Sequence, residues 1–207
     1  MTTLSLIIIA KAPHAGISKT RLCPPFTEEQ AAVLAEACLT ETLRTVSRVD
    51  SVNKVLALDG ARGGWLPKGI EVIEQRGKTL SDRLTNAFVD ARCPAFLIGM
   101  DTPQIDIPLL NHSISRLQLN NVDAVLGLSP DGGWWGIGLK HFVPSVFQGI
   151  PTSTDATGVS QLLKLKDLGY RTELLPELQD IDVIDDAVEV AGLIPNSHFA
   201  LTLASML

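Results

Sequence analysis

A short basic segment near the N-terminus is the first place in the sequence where side chains could do chemistry. It carries Lys11, Lys19 and Arg21 around a glycine, Gly16. Lysine and arginine donate charge-assisted hydrogen bonds to phosphate oxygens, and glycine lets the backbone approach a ligand closely. The segment is neither a Walker loop nor a dinucleotide fingerprint, because the glycines of those motifs are missing. Its spacing supports phosphate binding and a solvated basic loop about equally.

Three aspartates later in the chain are candidate metal ligands. Asp101 ends an apolar run, and Asp180 and Asp182 are two residues apart. In an extended chain residues i and i+2 point to the same side, so the last two could share one ion. Oxygen ligands suit Mg²⁺, which proteins usually share with substrate phosphates. A turn or helix-capping role for Asp101 and a solvated helix start for the other two remain open.

Glycines and aromatic residues follow one another at Asp131, Gly132, Gly133, Trp134 and Trp135. A loop of this composition could pack against a flat or sugar-like ligand. Packing of at least one tryptophan in the core is the more frequent arrangement. The histidines share no spacing that indicates a catalytic base, and no serine nucleophile elbow is present.

The elements that must position these residues follow from the apolar pattern. Short runs rich in β-branched residues or leucine predict strands. They cover Leu4–Ala10, Lys54–Leu58, Ile70–Glu74, Ala95–Met100, Ala124–Leu128 and Gly136–Leu139.

Helical patterns separate several of these strands. A capping box at Thr27 predicts a helix to about Arg48, and two more helices are expected over Leu80–Ala91 and Pro108–Leu119. The alternation predicts an α/β fold, with a mostly parallel sheet covered on both faces. Ligands bind beyond the carboxyl ends of such strands, where the basic segment, Asp101 and Asp131 should meet. The second half is expected to be less regular, with Ile150–Gly158 as a loop.

Composition limits the classes of function. With 207 residues, 45% of them hydrophobic, the chain suits one domain over residues 1–207. A net charge of −6 argues against nucleic-acid or membrane-surface partners. The three cysteines lack metal-binding spacing, and neither a signal peptide nor a membrane span is found. A cytoplasmic protein is expected, and its oligomeric state is left open.

Taken in order, the motifs resemble a known family over about residues 5–190. The segments that carry the resemblance are Ala10–Leu22, Gly77–Arg83, Ile98–Pro103, Pro130–Gly138 and Asp180–Asp182. They are similar to the DUF2064 family, glycosyltransferase-like bacterial proteins of the nucleotide-diphospho-sugar transferase superfamily. That family is related to phospholactate guanylyltransferases and molybdenum cofactor nucleotidyltransferases. The resemblance implies a single-domain GT-A-like, Rossmann-like fold, a three-layer α/β/α sandwich.

The resemblance also implies roles for the residues. Lys11, Gly16, Lys19 and Arg21 would bind nucleotide phosphates, with Lys19 and Asp101 in catalytic positions. Asp101, Asp180 and Asp182 would hold Mg²⁺ or Mn²⁺. The acceptor side would contain Asp131, Gly132, Gly133 and Trp134. Two departures from the family pattern lie on that side: tryptophans replace a pair led by tyrosine, and Pro151–Thr154 replaces a tryptophan.

The expected function is a metal-dependent transferase acting on a nucleotide or nucleotide-sugar and a small acceptor. Glycosyl transfer from a nucleotide-sugar is placed first, because Trp134 and Trp135 could offer a stacking face to a sugar. Nucleotidyl transfer from a nucleoside triphosphate to a phosphorylated acceptor is the alternative, favoured by the basic loop. A catalytically silent nucleotide-binding protein is the third possibility.

Overall fold

A seven-stranded sheet forms the centre of the computed structural model, which describes residues 3–207. The strands run in the order β3-β2-β1-β4-β6-β5-β7, and only β6 runs antiparallel to its neighbours. The mostly parallel sheet is therefore confirmed, whereas the reversal of β6 was not predicted. The strands are β1 Ser5–Lys11, β2 Asn53–Asp59, β3 Glu71–Glu74, β4 Ala95–Ile98, β5 Ala124–Leu128, β6 Trp134–Leu139 and β7 Thr172–Leu175.

Helices cover both faces of the sheet. Thr27 and Gln30 form the predicted capping box at the start of α1. The bounds of α2 coincide with the prediction, and those of α1 and α3 lie within one residue of it. The helices are α1 Glu28–Ser47, α2 Leu80–Ala91, α3 Ile107–Gln118, α4 Thr157–Asp167, α5 Ile184–Leu193 and α6 His198–Ala204.

The three layers follow from apolar residues on both sides of each central strand. In β1, Leu6 and Ile8 are buried beneath α1 and α3, whereas Ile7 is buried beneath α2 and α4. Continuous apolar strands are typical of parallel sheets with both faces covered. The helices α5 and α6 pack on the outer side of α1 and form a third apolar cluster. The predicted single-domain α/β/α sandwich is confirmed.

The second half of the chain is more regular than predicted. The helices α4 and α6 and the strand β7 were missed, and α4 begins at Thr157, inside the segment predicted as a loop. No side chain caps the start of α4, and the exposed Val159 and Leu163 blur its apolar pattern. The three cysteines are free thiols. Within residues 3–207, no helix is long and apolar enough to cross a membrane.

Candidate active site

A cavity of about 700 Å³ opens at the edge of the sheet where β1, β4 and β5 end. The predicted convergence of the three strand ends is therefore observed. Gly16 and Gly132 are absent from the cavity wall, so their contribution is to the backbone around it. The other predicted site residues line the cavity: Lys11, Lys19, Arg21, Asp101, Asp131, Gly133, Trp134, Asp180 and Asp182.

The basic loop after β1 is folded tightly enough to direct its side chains into the cavity. Gly16 has φ +74°, and a Cβ there would lie 2.9 Å from Oε2 of Glu28. Glycine is therefore needed for the turn against the start of α1. The hydroxyl of Ser18 donates to the carbonyl of Ala12 at 3.3 Å. Lys19 has φ 53°, a left-handed conformation that is uncommon outside glycine.

Lys19 forms an ion pair with Asp101 at the base of the cavity. Its Nζ lies 2.5 Å from Oδ1 of Asp101, and the lysine side chain is 9% exposed against 44% for the aspartate. The ammonium also donates to the carbonyl of Ile181. Burial alone lowers the pKa of Lys19, but Asp101, followed by smaller contributions from Cys38 and Asp182, raises it above its usual value. Lys19 is therefore a fixed cation inside the protein.

Arg21 and Asp182 form a second ion pair, nearer the solvent. Nη1 of Arg21 lies 2.5 Å from Oδ2 of Asp182, and both side chains are largely exposed. An exposed pair of this kind contributes only about 0–1 kcal/mol. Arg21 can thus turn toward a bound anion at little cost.

Three carboxylates converge on one point of the cavity. Single oxygens of Asp131, Asp180 and Asp182 lie within 4.8 Å of one another. Burial first, and then the charge of Asp131, raise the pKa of Asp180 to about 6. Oδ1 of Asp180 is buried and has no hydrogen-bond partner. A buried carboxylate oxygen without a donor, beside two more carboxylates, fits a hard divalent cation.

The three carboxylates that converge differ in one residue from the three predicted metal ligands. Asp131, predicted to lie on the acceptor side, joins Asp180 and Asp182, whereas Asp101 is engaged by Lys19. The role of Asp101 as a metal ligand stays a prediction.

Backbone and side-chain hydrogen bonds hold the segment that carries Asp180 and Asp182. The N–H of Ile181 donates to the carbonyl of Asp101 at 3.1 Å. At the start of α5, Oδ2 of Asp186 accepts the N–H of Asp182 at 3.0 Å. Oδ1 of the same carboxylate accepts from Gln179 at 3.0 Å. Asp186, in the first turn of α5, is therefore a positioning residue for the acidic pair.

The loop between β5 and β6 brings Asp131 and Trp134 to the cavity. Gly132 has φ +89°, and a Cβ there would lie 2.1 Å from the carbonyl oxygen of Asp155. Trp134 is half-buried and lines the cavity. Trp135 is 2% exposed, lies edge-on to Phe96, and donates from Nε1 to a carbonyl at 3.0 Å. The predicted stacking role is therefore wrong for Trp135, because adjacent residues of a strand point to opposite faces.

Further cationic and polar side chains line the cavity and were missed as site residues. Lys78 and Arg83 belong to the Gly77–Arg83 motif, so the sequence contained a signal for them. Arg83 pairs with Asp59 at the end of β2, with Nη1 to Oδ2 at 2.5 Å. Gln75 gave no signal, although its side-chain amide donates to the carbonyls of β1 and β2 at 2.8 and 2.9 Å.

Comparison with known proteins identifies the family of the chain. The sequence profile of the DUF2064 family, described as an uncharacterized protein conserved in bacteria, matches residues 42–154, more than half of the chain. The chain belongs to the DUF2064 family. No curated protein gives a significant match to this DUF2064 sequence.

Solved structures share the fold of this DUF2064 protein. A candidate nucleotide-diphospho-sugar transferase from Desulfovibrio desulfuricans G20 is 25% identical, with a TM-score of 0.84 over 99% of this chain and 94% of the other. The 4-diphosphocytidyl-2C-methyl-D-erythritol synthase of Anaerococcus prevotii DSM 20548 is 14% identical, with a TM-score of 0.58 over 94% and 96%. The 2-C-methyl-D-erythritol 4-phosphate cytidylyltransferase of Thermus thermophilus is 19% identical, with a TM-score of 0.52 over 94% and 100%. The GT-A-like fold is thus shared with both transferase types.

Proposed function

We propose that this DUF2064 protein is a nucleotide-dependent transferase that moves a sugar from a nucleotide-sugar to a small acceptor. One observation carries the proposal: cations of the basic loop and the group Asp131, Asp180 and Asp182 face the same cavity. Such an arrangement suits a diphosphate bound together with a divalent cation. The name and 25% identity of the Desulfovibrio structure support the same assignment.

The phosphate-binding role rests on donors that the ion pairs leave available. The ammonium of Lys19 has three N–H groups, and the contacts with Asp101 and Ile181 use two of them. The third can reach a phosphate oxygen while the pair stays intact. Arg21 has five N–H groups and gives one to Asp182. Both side chains can therefore bind a diphosphate and hold it in place.

The acidic group would hold Mg²⁺ or Mn²⁺, with Asp180 at its centre because its buried oxygen has no other partner. A divalent cation there would neutralise charge that develops on the departing diphosphate. Lys19 and Arg21, which contact the segment that carries the acidic pair, would stabilise the same charge. The half-buried Trp134 would pack against the sugar.

Nucleotidyl transfer is the second candidate, since five cationic side chains line the cavity. A triphosphate carries more charge than a diphosphate, and the two cytidylyltransferase-type structures share the fold. The two reactions differ in their small product. Incubation with labelled nucleotides and nucleotide-sugars should release a nucleoside diphosphate and a sugar adduct. Release of pyrophosphate would instead establish nucleotidyl transfer.

Binding is tested first, by thermal unfolding with nucleotides in the presence and absence of Mg²⁺. A ligand at 100 times its Kd stabilises the folded state by about 2.7 kcal/mol. Arg21→Gln should weaken nucleotide binding, whereas Lys68→Gln, at an exposed site outside the cavity wall, should not. If no nucleotide or nucleotide-sugar raises the midpoint of the wild type, the transferase proposal is refuted. Binding without any turnover would favour the silent nucleotide-binding alternative.

A further inference from the structure

Arg21 is bound to one of the carboxylates that would hold the divalent cation. Its Nη1 lies 2.5 Å from Oδ2 of Asp182, which belongs to the acidic group together with Asp131 and Asp180. The proposed function gives each member of this ion pair a different partner. Arg21 would bind the diphosphate, and Asp182 would bind the cation. The ion pair and the ligands therefore compete for the same two side chains.

The backbone on each side of this ion pair is anchored in the protein. Leu22, which follows Arg21, and Ile181, which precedes Asp182, are both buried in the apolar cluster that contains residues of α1, α5 and α6. The ammonium of Lys19 donates to the carbonyl of Ile181 and so joins the two segments a second time. Because both segments are held in this way, a change of partner falls to the side chains.

The side chains of Arg21 and Asp182 are exposed enough to change partner. Their exposed fractions are 60% and 41%, and an exposed ion pair shifts an equilibrium by no more than about fivefold. Lys19, in contrast, is only 9% exposed and is held by Asp101. Of the two ion-paired cations in the basic loop, Arg21 is therefore the one that can move.

We propose that Arg21 couples cation binding to diphosphate binding by exchanging Asp182 for the diphosphate. A guanidinium and a divalent cation repel each other, so they compete for the carboxylate of Asp182. An Arg21 that leaves Asp182 has all five N–H groups available for phosphate oxygens. Each ligand should therefore favour the binding of the other. This inference rests on the proposed function and specifies how its two ligands are coupled.

The exchange is tested first without metal, by calorimetric titration of inorganic pyrophosphate in the presence of EDTA. Asp182→Asn releases Arg21, so it should tighten pyrophosphate binding about threefold more in the wild type than in an Arg21→Gln background. Asp131→Asn is the matched control, because it removes a charge from the same acidic group and leaves the ion pair intact. Its effect should be the same in both backgrounds. Equal gains from Asp182→Asn in the two backgrounds, or no pyrophosphate binding by any of these proteins, overturn the inference.

The reciprocal test measures Mn²⁺ binding without any phosphate, from the electron paramagnetic resonance signal of the free ion. Arg21→Gln leaves Asp182 without its partner and should tighten Mn²⁺ binding about threefold. Lys78→Gln removes one charge from the same cavity wall but keeps the ion pair, so its effect should be smaller. If Arg21→Gln binds Mn²⁺ no better than Lys78→Gln, the inference is overturned. Nucleotide binding by the wild type with Mg²⁺ decides the proposed function separately, so the failure of one can be told from the failure of the other.

Discussion

The Lys19–Asp101 pair makes a sharp prediction about stability, because only one partner is buried. The lysine side chain is 9% exposed and the aspartate 44%. Asp101→Asn leaves a buried ammonium without the carboxylate that contacts it. Breaking a fully buried pair costs about 3–5 kcal/mol, and water near the exposed Asp101 should lower this to about 2–4 kcal/mol. The destabilisation cannot exceed about 5 kcal/mol at pH 7, because at that cost Lys19 would lose its proton instead. Deprotonation costs about 1.36 kcal/mol for each unit by which the pH lies below the ordinary lysine pKa.

Lys19→Met should cost less, about 1–2 kcal/mol. The methionine fills similar space, Asp101 remains hydrated, and the main loss is the hydrogen bond to the carbonyl of Ile181. The double variant should resemble Lys19→Met, since it no longer contains a buried charge. Urea unfolding of the wild type, the two single variants and the double variant measures this double-mutant cycle. A result in which Asp101→Asn is no more destabilising than Lys19→Met would refute the assignment of Lys19 as a buried cation.

The pH dependence gives an independent check. In the wild type the pKa of Lys19 is raised, so its stabilising effect is fully present below the unfolded value and is lost only at higher pH. In Asp101→Asn, burial is no longer offset by Asp101 and should lower this pKa below the unfolded value. The loss of stability caused by the substitution then declines as pH rises, by up to about 1.36 kcal/mol per pH unit. The difference in unfolding free energy should therefore narrow between pH 7 and pH 9, and a constant difference would contradict the role given to Asp101.

Three further outcomes are expected. Gly132→Ala should lower the free energy of unfolding, measured in urea, by about 2–4 kcal/mol, because backbone strain and a backbone clash combine. The control is Gly149→Ala, where φ is +76° but the space around the Cβ is open, and its cost should be about 1 kcal/mol. Asp180→Asn should abolish Mn²⁺ binding measured by calorimetry, whereas Asp50→Asn at an exposed site should leave it intact. Burial raises the pKa of Cys38, so mass spectrometry should find it unmodified by a thiol reagent under native conditions while the half-buried Cys23 reacts.

The first half of the fold could be predicted from the sequence because its signals are local and agree with one another. The capping box at Thr27 and the apolar face behind it specify α1 without help from distant contacts. The run that forms β1 is apolar at every central position, as expected for a strand covered on both faces. By contrast, α4 has no side-chain cap and exposes Val159 and Leu163, so its formation depends on tertiary packing.

In the candidate site, too, some features could be predicted from the sequence and others depend on contacts between distant segments. That the strand ends converge follows from parallel topology, so the basic loop and Asp101 could be placed at one edge. Which carboxylate pairs with which cation depends on distances across the cavity, and sequence contains no measure of these. The assignment of Asp131 to the acidic group and of Asp101 to Lys19 became visible only in three dimensions. The two tryptophans lie on opposite faces of the sheet because adjacent residues of a strand alternate, and the pairing of β6 with β4 and β5 sets which face each one occupies.

The hairpin formed by β5 and β6 has a consequence for how this protein could diversify. Residues 129–133 form its tip, and they sit at the same edge of the sheet as the basic loop that precedes α1. A hairpin tip can gain, lose or exchange residues without rerouting a crossover between parallel strands. Evolution, or an engineer, could therefore exchange the residues of the hairpin tip while the basic loop stays the same in every variant.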